Sequence, residues 1–349
     1  MAPAHLPRRR RRAPGPSRSR RRAWPGAPLS RLVALASVAA LLAACGNGRS
    51  ALPPATTHAT APTAPTTASP APTSPAPTAT PSAAVPCGTA TAPPARYRHV
   101  VWIWMENHQW SSVIGNAGAP YLTGLAHRCG TDTAWSSVGS PSLPNYLGAT
   151  AGSTLGVTDD ADPGAHSFAA DNLFRQVRAA GGTERSFVES MPSPCDLVSS
   201  GTYAAKHNPA VYFDGPGDRA ACRADDLQLG ALDAALASGS LPTFTSITPN
   251  ICDDMHSCPV AAGDRWLATW VPRILDSPAY RSGTTFVVVV FDEPTPLANV
   301  VVAPAIHPGT VAASPVDHYS LLHATEDALG LPLLGRAATA RNLRDVLGF

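Results

Sequence analysis

Apolar and β-branched residues run almost without interruption from His99 to Met105 and from Thr284 to Phe291, the second run holding four consecutive valines. Runs of this length with no polar alternation are strands buried on both faces. Two shorter runs, Thr243 to Thr248 and Asn299 to Ala303, read the same way. Between and around them lie stretches with helical spacing: Asn172 to Ala180, stopped by Gly181 and Gly182, then Asp225 to Ala237, Asp264 to Leu275 and Tyr319 to Leu329. Strands alternating with helices predict an α/β fold, a mainly parallel sheet sandwiched between helices. One catalytic domain over residues 96–349 accommodates all of these elements.

The N-terminal part follows a different pattern. Arginine-rich segments are followed by the apolar run Leu32 to Ala44, which suits a signal peptide and is short for a membrane-spanning helix. The run ends in Leu42-Ala43-Ala44-Cys45-Gly46, which looks like a bacterial lipobox. Residues 1–45 are therefore read as a signal peptide whose Cys45 becomes a lipidated mature N-terminus, tethering the protein to the outer face of the cell membrane. An ordinary cleaved signal, giving a secreted protein, is the alternative. Residues 46–95 are dominated by Ala, Pro, Thr and Ser, too little apolar bulk for a core, and are expected to form a disordered stalk.

Charge and cysteine content narrow the function. The formal net charge is only +2, and much of the basic excess lies in the N-terminal segments, so no nucleic-acid partner is expected. Six cysteines remain beyond Cys45, an even number that favours disulfides in an exported chain. Cys252 and Cys258 form the first expected pair; spacing does not choose among pairings of Cys87, Cys129, Cys195 and Cys222.

In parallel sheets, ligands sit beyond the carboxyl ends of the strands. Both strong strands end there in polar residues, Glu106-Asn107 and Asp292-Glu293. Carboxylates converging at one edge repel one another unless a cation lies between them. Either pair alone would equally suit a solvated turn; the recurrence points to a metal. Ser142, in Ser140-Pro141-Ser142-Leu143-Pro144-Asn145-Tyr146, stands at the start of a predicted helix over Pro144 to Thr150, where a hydroxyl serves as nucleophile or as helix cap. Asn250 to Cys258 follows another strand and brings Asp254 and His256; Asp317-His318 precedes a helix; His207 stands in Lys206-His207-Asn208-Pro209.

Taken in chain order from about Arg98 to Pro332, these six motifs resemble the bacterial phosphoesterase family that includes secreted acid phosphatases and phospholipases C, within the alkaline phosphatase superfamily. The resemblance implies an alkaline-phosphatase-like domain with a divalent metal on Glu106, Asn107, Ser142, Asp254, Asp292 and Glu293. It implies Ser142 as nucleophile, with His256 or His318 moving protons, and Asn145, His207 and Asn250 around the phosphate. An oxygen-rich set admits Ca, Mg or Mn, and the histidines admit Zn or Fe. The substrate implied is a small-molecule or lipid phosphate monoester, including a phosphoinositide, cleaved through a phosphoserine. A phospholipase C-type diesterase and a catalytically inactive, lipid-anchored binding protein are the alternatives. Oligomeric state has no signature in the sequence.

Overall fold

The computed structural model describes residues 85–239 and 241–349. The expected signal segment, Cys45 and most of the expected stalk lie outside the described residues. The strands are β1 His99–Met105, β2 Gly130–Asp132, β3 Trp135–Ser136, β4 Glu184–Val188, β5 Asp226–Gln228, β6 Phe244–Thr248, β7 Thr285–Phe291, β8 Val300–Val302, β9 Thr310–Ala312 and β10 Val316–Asp317. The α-helices are α1 Trp110–Val113, α2 Pro120–Arg128, α3 Ser142–Ala151, α4 Leu173–Ala179, α5 Asp218–Asp225, α6 Ala231–Ser238, α7 Val260–Leu275, α8 Pro278–Arg281, α9 His318–Leu329 and α10 Leu343–Leu347.

The four predicted strands are present within a residue at each end. The helices agree less closely. Asp226–Gln228, expected to open a helix, instead pairs in parallel with β4, and the helix begins only at Ala231. The short strand was hidden because its polar residues lie at a sheet edge and show no apolar run. Helix α3 starts at Ser142 rather than Pro144, so the serine lies inside the first turn.

The main sheet has the order β5-β4-β6-β1-β7-β8-β2-β9. Only β8 runs against its neighbours. The expected mainly parallel sheet is thus observed. Strand β1 sits between β6 and β7, with Met105 opposite Phe291 at its carboxyl end. The next residues, Glu106 and Asp292, therefore emerge side by side at the middle of the sheet.

Both faces of the sheet are covered: β7 is buried at every position and β1 at all but the first. Helix α2 packs with α7, and α3 with α9. The two-residue period of β1 sends alternate side chains to one face. On that face Trp102 donates through Nε1 to Thr325 Oγ1 of α9, and Trp104 packs against Tyr146 of α3. Glu106 continues the same alternation and meets α3. Gly152 ends α3 at φ 65°, and a β-carbon there would lie 2.2 Å from the Leu334 carbonyl oxygen, so no side chain fits this stop.

Three disulfides link Cys87–Cys129, Cys195–Cys222 and Cys252–Cys258. Such a set belongs to a domain that folds in an oxidising compartment. The first bond reaches into the segment assigned to the stalk. Cys87 is fully buried, and the Thr89 and Ala90 N–H groups both donate to the Pro304 carbonyl. The packed domain thus takes in residues ahead of 96, a point that composition concealed because one buried cysteine anchors an otherwise core-free stretch. No helix among the described residues is long and apolar enough to cross a membrane.

Candidate active site

The carboxyl ends of β1, β6 and β7 converge on one buried cluster. Glu106 is fully buried; its Oε2 accepts from the Ser142 hydroxyl at 3.0 Å and its Oε1 from the Tyr146 hydroxyl. Ser142 and Tyr146 are four residues apart on α3, which places both on one helical face. On the other side of Glu106, its N–H donates to the Asp254 carbonyl at 2.8 Å, drawing the loop after β6 into the site. Asn107 adopts φ 56°, a left-handed conformation that asparagine tolerates, and its N–H donates to Asp292 Oδ1 at 3.0 Å.

His207 lies between two of the carboxylates. Its Nε2 is 3.3 Å from Glu106 Oε1 and its Nδ1 is 3.0 Å from Asp254 Oδ2. Neither contact has hydrogen-bond alignment, and both ring nitrogens are buried without a hydrogen-bonded partner. Burial, with Lys206 adding like charge, lowers the His207 pKa to about 3, so the ring is neutral. His318 is fully buried; its Nε2 meets the Asp292 carbonyl oxygen at 2.8 Å, and burial brings its pKa down to about 4.

The carboxyl groups share one electrostatic problem. Burial raises Asp292 and Asp254 to about 7, and burial together with the charges of Asp292 and Asp254 raises Glu106 well above the usual carboxylate range. Asp292 Oδ2, Asp254 Oδ2 and His318 Nδ1 also lack hydrogen-bonded partners. A buried polar atom left alone costs free energy that a cation in the cluster would offset. Ligand atoms of Glu106, His207 and His256 lie within 4.8 Å of one another, as a shared ion requires. The donor set therefore fits a divalent metal.

The sequence-derived residues fall into three groups. Glu106, Ser142, Asp254, Asp292, His207 and His318 are buried in or against the cluster. Glu293 is half-buried and turns toward Ser140, and His256 is exposed at the rim, its N–H donating to Asp254 Oδ1 at 2.7 Å. Asn145 and Asn250 are occupied in bracing loops. Asn145 Oδ1 accepts from the Val138 and Gly139 N–H groups, shaping the approach to Ser142. Asn250 Oδ1 accepts from the N–H groups of Cys252 and Asp253. The Asn145 amide nitrogen donates to the Gly139 carbonyl and that of Asn250 to Asp253 Oδ2, so both amides are engaged within their own loops.

Three neighbours had not been singled out. Tyr146 was legible in principle, since the helical period places it with Ser142. Lys206 adjoins His207 in sequence, and its Nζ lies 2.8 Å from Asp160 Oδ2 and 3.3 Å from His256 Nε2. Asp160 had no sequence signal, yet its Oδ1 accepts from the Leu143 N–H at 2.9 Å. That bond takes one of the backbone donors that a helix start leaves free.

Residues 116–295 match the model of the Phosphoesterase family. The chain is 30% identical over 274 residues to a phosphatidylinositol-3-phosphatase of Mycobacterium tuberculosis, an alignment covering 75% of this chain and 86% of that one. It is 26% identical over 265 residues to an acid phosphatase of Aspergillus fumigatus, covering 70% of this chain and 58% of the fungal protein, so it spans well under two thirds of that relative. A solved structure of an alkaline phosphatase superfamily protein from Vibrio parahaemolyticus overlaps 72% of each chain, at TM-score 0.49 and 12% identity. With a converging acidic cluster built around a buried serine, and with this family match and relative, the chain belongs to the Phosphoesterase family and is a hydrolase acting on phosphoric ester bonds.

Proposed function

We propose that this protein is an exported, metal-dependent phosphatase that cleaves phosphate monoesters through a phosphoserine at Ser142, and that lipidated Cys45 holds it at the outer face of the membrane. The observation that carries the reading is the hydroxyl of buried Ser142, hydrogen-bonded to Glu106 inside a cluster of carboxyl groups with unpartnered oxygens. Glu106, Asn107, Ser142, Asp254, Asp292 and Glu293 would hold a divalent cation, Ca, Mg or Mn by the oxygen-rich set, or Zn or Fe if His207 and His256 join. When bound, such an ion supplies positive charge that favours the serine alkoxide and balances charge on the phosphoryl oxygens.

Ser142 Oγ attacks phosphorus as the bond from phosphorus to the leaving oxygen breaks. Glu106 Oε2, the acceptor of the serine hydrogen bond, orients the hydroxyl and is placed to take its proton. The two histidine candidates are separated by their surroundings. His318 is wholly enclosed and held at the Asp292 carbonyl, which suits positioning; His256 is exposed at the rim and suits proton exchange with a leaving alcohol and then with water. In the second step water attacks phosphorus as the bond to Ser142 Oγ breaks; His256 takes the water's proton, Ser142 Oγ regains its own from Glu106, and inorganic phosphate leaves.

The substrates that fit are small monoesters, nucleotide monophosphates or phosphoinositides; the phosphatidylinositol-3-phosphatase relative favours the last class. Reaction with p-nitrophenyl phosphate, followed by acid quenching and peptide mass spectrometry, is expected to find phosphate on Ser142. Turnover with no phosphorylated Ser142, and undiminished turnover by Ser142→Ala, would remove the covalent step.

A further inference from the structure

Lys206 is the only lysine in the 349-residue chain, every other basic side chain of the 26 Lys and Arg being arginine. It lies at the rim of the acidic cluster, its side chain only 18% exposed. Its Nζ lies 3.3 Å from His256 Nε2, and ligand atoms of His256, Glu106 and His207 lie within 4.8 Å of one another. The ammonium therefore stands beside the acidic cluster rather than in bulk solvent alone.

Its partners give it two attachments. Asp160 Oδ2 holds Nζ at 2.8 Å, and the other oxygen of the same carboxylate holds the Leu143 N–H at 2.9 Å. One carboxylate thus ties the ammonium to the backbone immediately after Ser142. A single ion pair leaves an ammonium with further donor capacity, and Nζ points on toward His256 Nε2 at 3.3 Å.

On this basis, and resting on the phosphatase reading above, we propose that Lys206 is the specificity-determining cation of the site, binding the second anionic oxygen that distinguishes a phosphate monoester from a diester. A monoester carries about two negative charges near neutral pH. A diester carries one, because the second oxygen bears an alkyl group. A fixed cation beside that oxygen gains more from the dianion, and an alkyl group placed there would meet an ammonium it cannot hydrogen-bond. Asp160 is the positioning residue that keeps Nζ in register with Ser142.

The test compares kcat/KM for p-nitrophenyl phosphate and for its phosphorylcholine diester, using the full mature chain loaded with its metal. Lys206→Met is expected to lower monoester kcat/KM about 10²-fold, the loss typical of one oriented charge-stabilising donor. Diester kcat/KM is expected to fall no more than about threefold, so the preference collapses. Lys206→Arg, which keeps the charge, is expected to retain the preference. Equal losses on both substrates would show a merely structural role and overturn the proposal, as would unchanged monoester activity in Lys206→Met or a lost preference in Lys206→Arg. Should Lys206→Met not fold, by its circular dichroism, Lys206→Gln carries the same comparison. Failure of the wild-type protein to hydrolyse any phosphoester would instead defeat the phosphatase reading itself.

Discussion

Two buried acidic clusters in this domain use the same residue types in opposite ways. In the first, Asp218 accepts from Asn172 Nδ2 at 3.0 Å, Arg175 Nε at 3.2 Å and Arg178 at 2.5 Å, while Arg178 also pairs with Glu184. Asp226, on the neighbouring strand, accepts from Asn208 Nδ2 at 2.8 Å. In the second, Glu106, Asp254 and Asp292 face one another, two hydroxyls and two neutral histidines, with no guanidinium among their partners. A carboxylate matched to arginine is a piece of scaffold. Carboxylates matched chiefly to one another hold their arrangement in readiness for a cation, and burial alone does not separate the two cases.

The sharpest contrast is expected at Ser142. Ser142→Ala should lower phosphomonoester turnover by at least about 10⁴-fold, as loss of a nucleophile does, while leaving the circular dichroism spectrum and unfolding midpoint near those of the parent. Activity within tenfold of the parent would mean that the second cluster, too, is scaffold.

How far this contrast was legible follows from where each residue's signal lies. Glu106 and Asp292 were readable because long apolar strands announce their own ends, and the sheet rule says what lies beyond them. The serine was readable from its place at a helix start, although the helix begins on it. Asp160 was not readable. It follows no strand, and its relation to Leu143 and Lys206 exists only after the chain has folded back. Strands β2, β4, β5 and β9 escaped for a similar reason: three are only three residues long, and β4, Glu184–Val188, opens with a glutamate and an arginine that interrupt the apolar pattern. The first cluster was invisible as a unit, its members drawn from α4, α5, β4 and β5.

Removing one partner from each cluster should push stability in opposite directions. Asp218→Ala leaves Arg175 and Arg178 without their shared carboxylate and should cost about 3–5 kcal/mol in urea unfolding, with kcat of the folded protein little changed. Asp292→Asn in metal-free protein removes a like charge from Glu106 and should raise stability by roughly 1 kcal/mol while abolishing metal-dependent activity. If both variants lose stability alike, the distinction between matched and unmatched carboxylates fails.

The disulfides divide along the same line. Replacing Cys87 and Cys129 by serine opens a bond 42 residues apart and should cost about 4 kcal/mol, whereas opening Cys252–Cys258, six residues apart, should cost about 2 kcal/mol. The smaller loss should bring the larger functional effect, because the short loop carries Asp254 and His256. Steady-state kinetics beside chemical unfolding of both double variants measures this ordering, and a greater fall in kcat/KM for the Cys87/Cys129 pair would reverse it.

A pH-dependent effect concerns a buried carboxyl outside both clusters, Glu326 on α9, raised from the usual 4.5 to about 8 chiefly by burial. Its Oε1 accepts from the Leu334 N–H at 3.0 Å, while Oε2 is without a hydrogen-bonded partner. A carboxyl raised by folding contributes stability fully present below pH 4.5 and lost as pH rises through 8. Its contribution to the slope is at most about 1.4 kcal/mol per pH unit across that window. Glu326→Gln should flatten the decline between pH 5 and 8 in chemical unfolding, and an unchanged slope would show that Glu326 ionises normally.

The most direct measurement is anomalous diffraction from crystals of the mature protein grown with manganese. A single strong peak within coordination distance of Glu106, Ser142 and Asp292 together is the expected result. A protein that turns over phosphomonoesters while its manganese lies elsewhere, with those three side chains touching no common ion, would contradict it.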